Sequence, residues 1–82
     1  MYTVYSLISQ KDGRIYVGIT SDFERRIKEH NAGKTRSTKG FRPWQLLCLQ
    51  SVESRIAARE LEKKWKSGAG KEYLKLIKLE RL

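Results

Sequence analysis

The sequence of 82 residues has few of the side chains that form covalent or metal crosslinks. It holds one cysteine, Cys48, and one histidine, His30. A single cysteine excludes an internal disulfide, and one cysteine with one histidine cannot supply the ligand set of a structural zinc site. Cys48 lies in an apolar run, which favours a small buried hydrophobe over the alternative of a nucleophile. We therefore expect the fold to be held by packing and hydrogen bonds.

Long hydrophobic runs are also missing. No apolar stretch approaches the roughly 18–20 residues that cross a bilayer, so the sequence predicts no membrane span. The N-terminal segment has no basic residue before its first apolar run, and we expect no signal peptide. The length leaves room for one folded unit. We therefore expect a single domain over residues 1–82 and a small, reduced, cytoplasmic protein.

Acidic residues are scarce. Nine Asp and Glu stand against eighteen Lys and Arg, which gives a net charge of +9. The positive charge is densest in residues 34–42, a segment without an acidic residue. Such a segment favours a phosphate backbone or an acidic membrane surface as partner, and a well-solvated surface is the alternative. The candidate nucleic-acid contacts are Lys34, Arg36, Lys39 and Arg42.

The N-terminal part of the sequence predicts a β-hairpin. Residues 2–9 and 14–20 are rich in β-branched and aromatic side chains, and the Asp12-Gly13 pair between them is a strong hairpin signal. The connecting loop has two residues or four. Because directly opposed residues share a face, either loop places Tyr5 and Tyr16 on the same face of the sheet.

A helix follows the hairpin. Ser21 and Glu24 form a capping box, which predicts a helix that begins near Asp22 and ends just before Gly33. Its apolar stripe is short. Two polar side chains one turn apart lie on the flank of that stripe: Arg26 and His30.

The rest of the chain predicts one strand and two helices. The strand covers residues 43–50, a second helix runs from about 53 to 66, and a last helix runs from about 71 to 81. Gly68 and Gly70 indicate a helix-breaking linker between the two helices. The sequence thus predicts an α+β fold, with a three-stranded antiparallel sheet flanked by helices in the order β-β-α-β-α-α.

Glu60 is an unusual residue in the second predicted helix. With Ile56, Ala57 and Leu61 taken as the apolar face, Glu60 projects from inside that face. A carboxylate in such a place needs a basic partner, a raised pKa or a cation. A salt bridge to Lys64 or a nearby arginine is one interpretation. The other is a ligand for a hard divalent cation, since Mg²⁺ is often held by one carboxylate with water and phosphate.

These groups together supply what phosphodiester hydrolysis requires. A cation and a guanidinium can stabilise charge on the phosphate, and a phenol or imidazole can accept a proton from water. The motifs that carry them resemble the GIY-YIG nuclease superfamily, in particular its small stand-alone bacterial members. The resembling segments are Thr3-Val4-Tyr5, Tyr16-Val17-Gly18, residues 20–34 (an arginine helix) and residues 59–66 (a glutamate helix).

The resemblance implies a role for each motif residue. Tyr5 and Tyr16 would flank the attacking water, one of them as general base. Arg26 would contact the scissile phosphate, and His30 would assist proton transfer or position a tyrosine. Glu60 would hold a single Mg²⁺ or Mn²⁺.

The resulting hypothesis is a divalent-metal-dependent endonuclease that hydrolyses DNA phosphodiester bonds in repair or recombination. The alternative is a catalytically silent module on the same scaffold that binds nucleic acid or a protein partner. DNA is the expected partner. The sequence leaves open whether the chain also forms a homodimer or joins a larger protein.

Overall fold

The computed structural model describes residues 1–80 and shows an α+β fold. Its three strands form one antiparallel sheet with the first strand in the centre, and its α-helices follow the predicted order. The predicted fold class is therefore confirmed. The predicted end of the last helix at residue 81 lies outside the described residues. The elements are β1 (Tyr2–Ser9), β2 (Ile15–Thr20), α1 (Phe23–Asn31), a 3-10 turn (Lys39–Phe41), β3 (Trp44–Val52), α2 (Arg55–Lys66) and α3 (Gly68–Glu80).

The hairpin between β1 and β2 has the four-residue loop. The amide of Ser9 donates to the carbonyl of Arg14 at 2.9 Å, which closes the loop over residues 10–13. Gly13 has a φ of +77°, a backbone conformation that glycine adopts without strain. In this register Tyr16 lies opposite Leu7. Of the two loops that the sequence allowed, the longer one is present.

The central strand β1 is covered on both faces. On one face the core packs against α2 and α3, and its buried residues are Val4, Val17, Leu47, Ala58, Trp65 and Leu74. On the other face Tyr5, Leu7 and Trp44 are buried, with Tyr16, Phe23 and Ile27 packed against them. The pairing of β1 with β3 shifts register between Ser6 and Leu7. The two tyrosines thus lie on the face that α1 covers.

The cap of α1 differs from the prediction. The carboxylate of Asp22 accepts from the amide of Arg25 at 3.2 Å, so Asp22 is the N-cap and not Ser21. A helix start leaves backbone amides without partners, and aspartate satisfies one of them as well as serine does. The predicted end is confirmed, since Gly33 has a φ of +79° just after the C-cap residue.

The predicted linker between the last two helices is wrong. Only Ser67 separates them, and α3 begins at Gly68. The Ser67 hydroxyl accepts from the amide of Gly70 at 3.2 Å and caps α3. A Cβ at Gly70 would collide with the carbonyl of Lys64 and the Cα of Trp65. Gly70 therefore lies where the two helices approach each other too closely for a side chain. No helix within residues 1–80 has the length and hydropathy to cross a membrane.

Candidate active site

Tyr5 of β1 is hydrogen-bonded to His30, the only histidine in the sequence. The Tyr5 hydroxyl lies 2.9 Å from Nε2 of His30, and Nδ1 of His30 lies 2.8 Å from Oγ1 of Thr38. The Thr38 hydroxyl donates its proton to the carbonyl of Thr35, so it accepts from Nδ1–H of His30. Nε2 is then the unprotonated nitrogen, and the Tyr5 hydroxyl donates to it.

Burial sets the protonation of this pair. Tyr5 is 1% exposed and His30 is fully buried. Burial raises the pKa of Tyr5 to about 12, and the nearby Arg26 guanidinium offsets this only in part. Burial, together with the positive charge of Arg26, lowers the pKa of His30 below its usual value. At neutral pH the pair is therefore a neutral phenol that donates to a neutral imidazole.

The second tyrosine lies against the same histidine. The ring of Tyr16 meets the ring of His30 edge to face at 5.1 Å and lies 6.3 Å from the ring of Tyr5. Gly18, directly opposite Tyr5 in the hairpin, makes room for this arrangement. A Cβ at Gly18 would lie 2.6 Å from the Tyr5 hydroxyl oxygen. Position 18 thus requires glycine, because any side chain there would collide with Tyr5.

Arg26 extends the cluster towards solvent. Its guanidinium donates to the carboxylate of Glu29 at 3.1 Å. Burial opposes the Arg26 charge, but Tyr5 and Glu29 outweigh that effect and raise the Arg26 pKa above its usual value. Arg26 and Glu29 line a groove of about 510 Å³ between α1 and α2. The other residues that line this groove are Tyr2, Ile19, Thr20, Ser21, Arg25, Arg55, Arg59 and Glu62.

The predicted position of Glu60 within the apolar face of its helix is wrong. Glu60 is exposed and does not line the groove, and Ile56, taken as part of the apolar face, is 74% exposed. The carboxylate that α2 contributes to the groove is Glu62. Its side chain is 26% exposed and pairs with Lys66 at 3.2 Å. Its charge also acts on Tyr5, whose pKa it raises.

The error comes from the rotational phase of α2. Ala58 and Trp65 are the buried residues of this helix, and Ile56 lies outside their stripe. At about 100° per residue, Glu62 is roughly 60° from Trp65, whereas Glu60 is about 140° away. The largest aromatic side chain of the helix was therefore the signal that could have identified Glu62 from the sequence.

The groove has carboxylates that fit a hard divalent cation. Glu62 and Glu29 both line it, and each is partly exposed and already paired with one basic side chain. Residues 1–80 contain no group of three or more His, Cys, Asp or Glu side chains placed to share a metal ion. This donor set is too small for a zinc site. It suits Mg²⁺, which is commonly bound through one or two carboxylates together with substrate phosphate.

The basic segment after α1 is tied to the buried histidine. Thr38, the partner of His30, is held by Nε1 of Trp44, which donates to the Thr38 carbonyl at 2.8 Å. The Ser9 hydroxyl donates to the carbonyl of Phe41 at 2.6 Å and fixes the other end of the segment. The four basic side chains around this anchor are all exposed: Lys34, Arg36, Lys39 and Arg42. Their contact with nucleic acid stays a prediction.

The structure thus brings together four of the five residues expected to act on a phosphodiester. Tyr5, Tyr16, Arg26 and His30 converge, and Glu62 stands where Glu60 was expected. A buried phenol–imidazole pair can move a proton, and a guanidinium can stabilise anionic oxygen. Their catalytic roles stay predictions.

Residues 1–75 match the family model of the GIY-YIG catalytic domain. A UPF0213 protein of Haloquadratum walsbyi is 37% identical over 67 residues, which cover 80% of this chain and 75% of that protein. The human structure-specific endonuclease subunit SLX1 is 34% identical over 70 residues, which cover 79% of this chain and 26% of SLX1. The chain therefore spans about a quarter of the length of human SLX1.

A solved structure shows the same fold. The solution NMR structure of a UPF0213 protein from Bacillus halodurans aligns with a TM-score of 0.54 and 31% sequence identity. The alignment covers 96% of this chain and 85% of that chain. The family match over residues 1–75 includes all the residues of the candidate site: Tyr5, Tyr16, Arg26, His30 and Glu62.

Proposed function

The chain belongs to the GIY-YIG catalytic domain family, and we propose that it is a divalent-metal-dependent endonuclease that hydrolyses DNA phosphodiester bonds. The family and the SLX1 relatives, which are named structure-specific endonuclease subunits, support a nuclease. The observation that carries the proposal is the convergence of the Tyr5–His30 pair and Arg26 with Glu62. A buried phenol–imidazole pair beside a groove with arginines and carboxylates combines a proton acceptor with groups that can bind phosphate and a cation.

In the proposed reaction, Tyr5 and His30 accept the proton of the attacking water. A phenol with a pKa of about 12 is almost never ionised at neutral pH, so free phenolate is not the base. Tyr5 instead takes the proton from water as its own proton passes to Nε2 of His30. The bond from Nδ1–H to Thr38 holds the imidazole in the tautomer that can accept that proton. The ring of Tyr16 packs edge to face against the imidazole.

Arg26 binds the scissile phosphate in this proposal. Its guanidinium keeps its charge at every physiological pH, and its planar fork matches two phosphate oxygens. It exchanges its contact with Glu29 for these oxygens as the substrate enters. Glu62 holds the cation, Mg²⁺ or Mn²⁺. When bound, that cation supplies positive charge that neutralises the phosphate during bond breakage.

We propose DNA as the substrate, by analogy with the relatives named structure-specific endonuclease subunits. We propose DNA repair or recombination in the cytoplasm as the setting. The word subunit in those names suggests that a protein partner takes part in their activity. We extend this expectation to the present chain, with a homodimer as the alternative arrangement.

The test is a matched pair of glutamate variants. Glu62→Gln keeps the shape of the side chain and removes the charge that would hold the cation. The rate of nicking of supercoiled and branched DNA in millimolar Mg²⁺ should therefore fall by a factor of about 100. Glu60→Gln is the control, because it removes the same charge from the exposed side of the same helix. It should cleave at the wild-type rate. Melting temperatures of both proteins report whether each variant is folded.

Two outcomes would contradict the proposal. If Glu62→Gln remains folded and fully active, Glu62 does not hold the cation. If the wild-type protein binds DNA but neither Mg²⁺ nor Mn²⁺ supports cleavage beyond a chelator control, the chain is the catalytically silent binding module.

A further inference from the structure

Three arginines of the groove are unused by the proposed reaction. Arg25 comes from the first turn of α1, and Arg55 and Arg59 lie one turn apart at the start of α2. All three are exposed. Within residues 1–80 none of them forms an ion pair, whereas Arg26 in the same groove is paired with Glu29 at 3.1 Å.

This arrangement is unfavourable in the free protein. Like charges one turn apart on a helix destabilise it by a small amount, and Arg25 adds a third positive charge from the facing helix. The groove as a whole has four arginines against two carboxylates. Both carboxylates are already paired, Glu29 with Arg26 and Glu62 with Lys66. The excess positive charge therefore has no partner within the described part of the chain.

The lining also has the chemistry of a phosphate site. A guanidinium presents a rigid fork of N–H donors that matches two phosphate oxygens, and arginine is the preferred residue for such contacts. The hydroxyl residues Thr20 and Ser21 line the same groove. Arginines from two different helices can enclose an anion from two sides, which a single basic helix face cannot do.

We propose that Arg25, Arg55 and Arg59 bind a second phosphate of the DNA backbone, next to the phosphate held by Arg26. The inference rests on the proposed function, because it assigns Arg26 to the scissile phosphate. It adds a determinant of substrate position: the strand to be cut lies along the groove between α1 and α2. This subsite lies between two helices, whereas the basic segment of residues 34–42 follows the C-terminal end of α1.

A phosphate subsite away from the reacting atoms acts on affinity. Interactions made equally in the ground state and the transition state lower KM and leave kcat unchanged. Loss of Arg55 and Arg59 should therefore raise KM for DNA with little change in kcat. A loss of kcat equal to the loss of kcat/KM would instead place these arginines in the reaction itself.

The experiment is DNA binding by Arg55→Ala/Arg59→Ala with EDTA present, so that it does not depend on cleavage. The control is Lys64→Ala/Lys71→Ala, which removes the same charge from residues that do not line this groove. At about 150 mM salt, where the Debye length is about 8 Å, the arginine pair should bind on the order of tenfold more weakly than the control. The slope of log affinity against log salt should fall by about 1–2 for the arginine pair.

A second variant separates a bidentate site from a general positive field. Arg55→Lys/Arg59→Lys keeps both charges but loses the planar forks. It should keep the wild-type salt slope and bind more weakly than wild type. Because the arginines are exposed and unpaired, all variants should melt within a few degrees of wild type.

The proposal is overturned if the arginine pair and the lysine control bind DNA equally well, or if Arg55→Lys/Arg59→Lys binds as wild type does. Competition with inorganic pyrophosphate tests whether the groove binds a free phosphate ligand instead of the DNA backbone. If pyrophosphate displaces DNA at micromolar concentration, the groove is built for a free phosphate ligand and not for the DNA backbone. Since binding is measured without metal, these results stand apart from any failure to observe nuclease activity.

Discussion

The replacement of Gly18 by alanine tests the packing on which the proposed proton path depends. Gly18 and Tyr5 are directly opposed in the hairpin, so their side chains share a face. A Cβ at position 18 would lie 2.6 Å from the Tyr5 hydroxyl oxygen, 2.7 Å from Cζ of the same ring and 3.1 Å from the Tyr16 ring. Ordinary carbon contacts are about 3.5–4.0 Å, so the Tyr5 ring must move by roughly 1 Å.

This movement has a cost in stability and in rate. Overpacking of this kind costs about 1–3 kcal/mol, and loss of the 2.9 Å bond from Tyr5 to His30 adds about 1 kcal/mol. Alanine also lowers the backbone entropy of the unfolded chain relative to glycine, which offsets roughly 0.5–1 kcal/mol of this loss in stability. We expect a net loss of about 1–3 kcal/mol, which corresponds to roughly 5–20 °C in melting temperature for a domain of this size. A shift of about 1 Å in the Tyr5 hydroxyl should lower the cleavage rate about 100-fold.

Thermal melting and DNA nicking of the same preparations measure both effects. Gly40→Ala is the control, since a Cβ there has no atom within 4 Å and should change stability by less than about 0.5 kcal/mol. In a Tyr5→Ala background only the 3.1 Å contact with the Tyr16 ring remains, so Gly18→Ala should then cost much less. If Gly18→Ala is as stable as Gly40→Ala, or costs the same with and without the Tyr5 ring, the packing argument is refuted.

Two further predictions concern His30 and Gly70. His30 is the only histidine, and its lowered pKa should appear as a single imidazole NMR titration with a midpoint below about 6.5. Since the unfolded chain then binds the proton more readily than the folded one, the free energy of unfolding measured in urea should fall as the pH drops below about 6.5. An NMR titration midpoint above about 6.5 would contradict this prediction. Gly70→Ala places a Cβ against the backbone carbonyl of Lys64 and should lower the free energy of unfolding by about 3 kcal/mol or more. Gly68→Ala is the control, and it should be nearly neutral because a Cβ there meets no atom within 4 Å. Equal melting temperatures for the two glycine variants would show that α2 and α3 separate at low cost.

The sequence by itself determined the order of the elements and four residues of the candidate site: Tyr5, Tyr16, Arg26 and His30. The hairpin places Tyr5 and Tyr16 on one face in any allowed register, because the side-chain period of a strand is two and both loops kept the same parity. Arg26 and His30 lie one turn apart on α1, so a helix of that phase presents them together. Both pairings follow from the repeat of the strand or the helix itself, so local backbone geometry is enough to place each pair of side chains on one face.

Only the tertiary structure decided which carboxylate faces the groove. Every residue of α2 has the same local conformation, so the choice between Glu60 and Glu62 depends on which stripe the sheet buries. That stripe is set by Ala58 and Trp65, whose contacts with β1 and β2 lie far away in sequence. The same holds for Gly70, which the sequence marks as a helix breaker. The close approach of α2 and α3 requires a residue without a Cβ there, and this requirement outweighs the weak helix propensity of glycine.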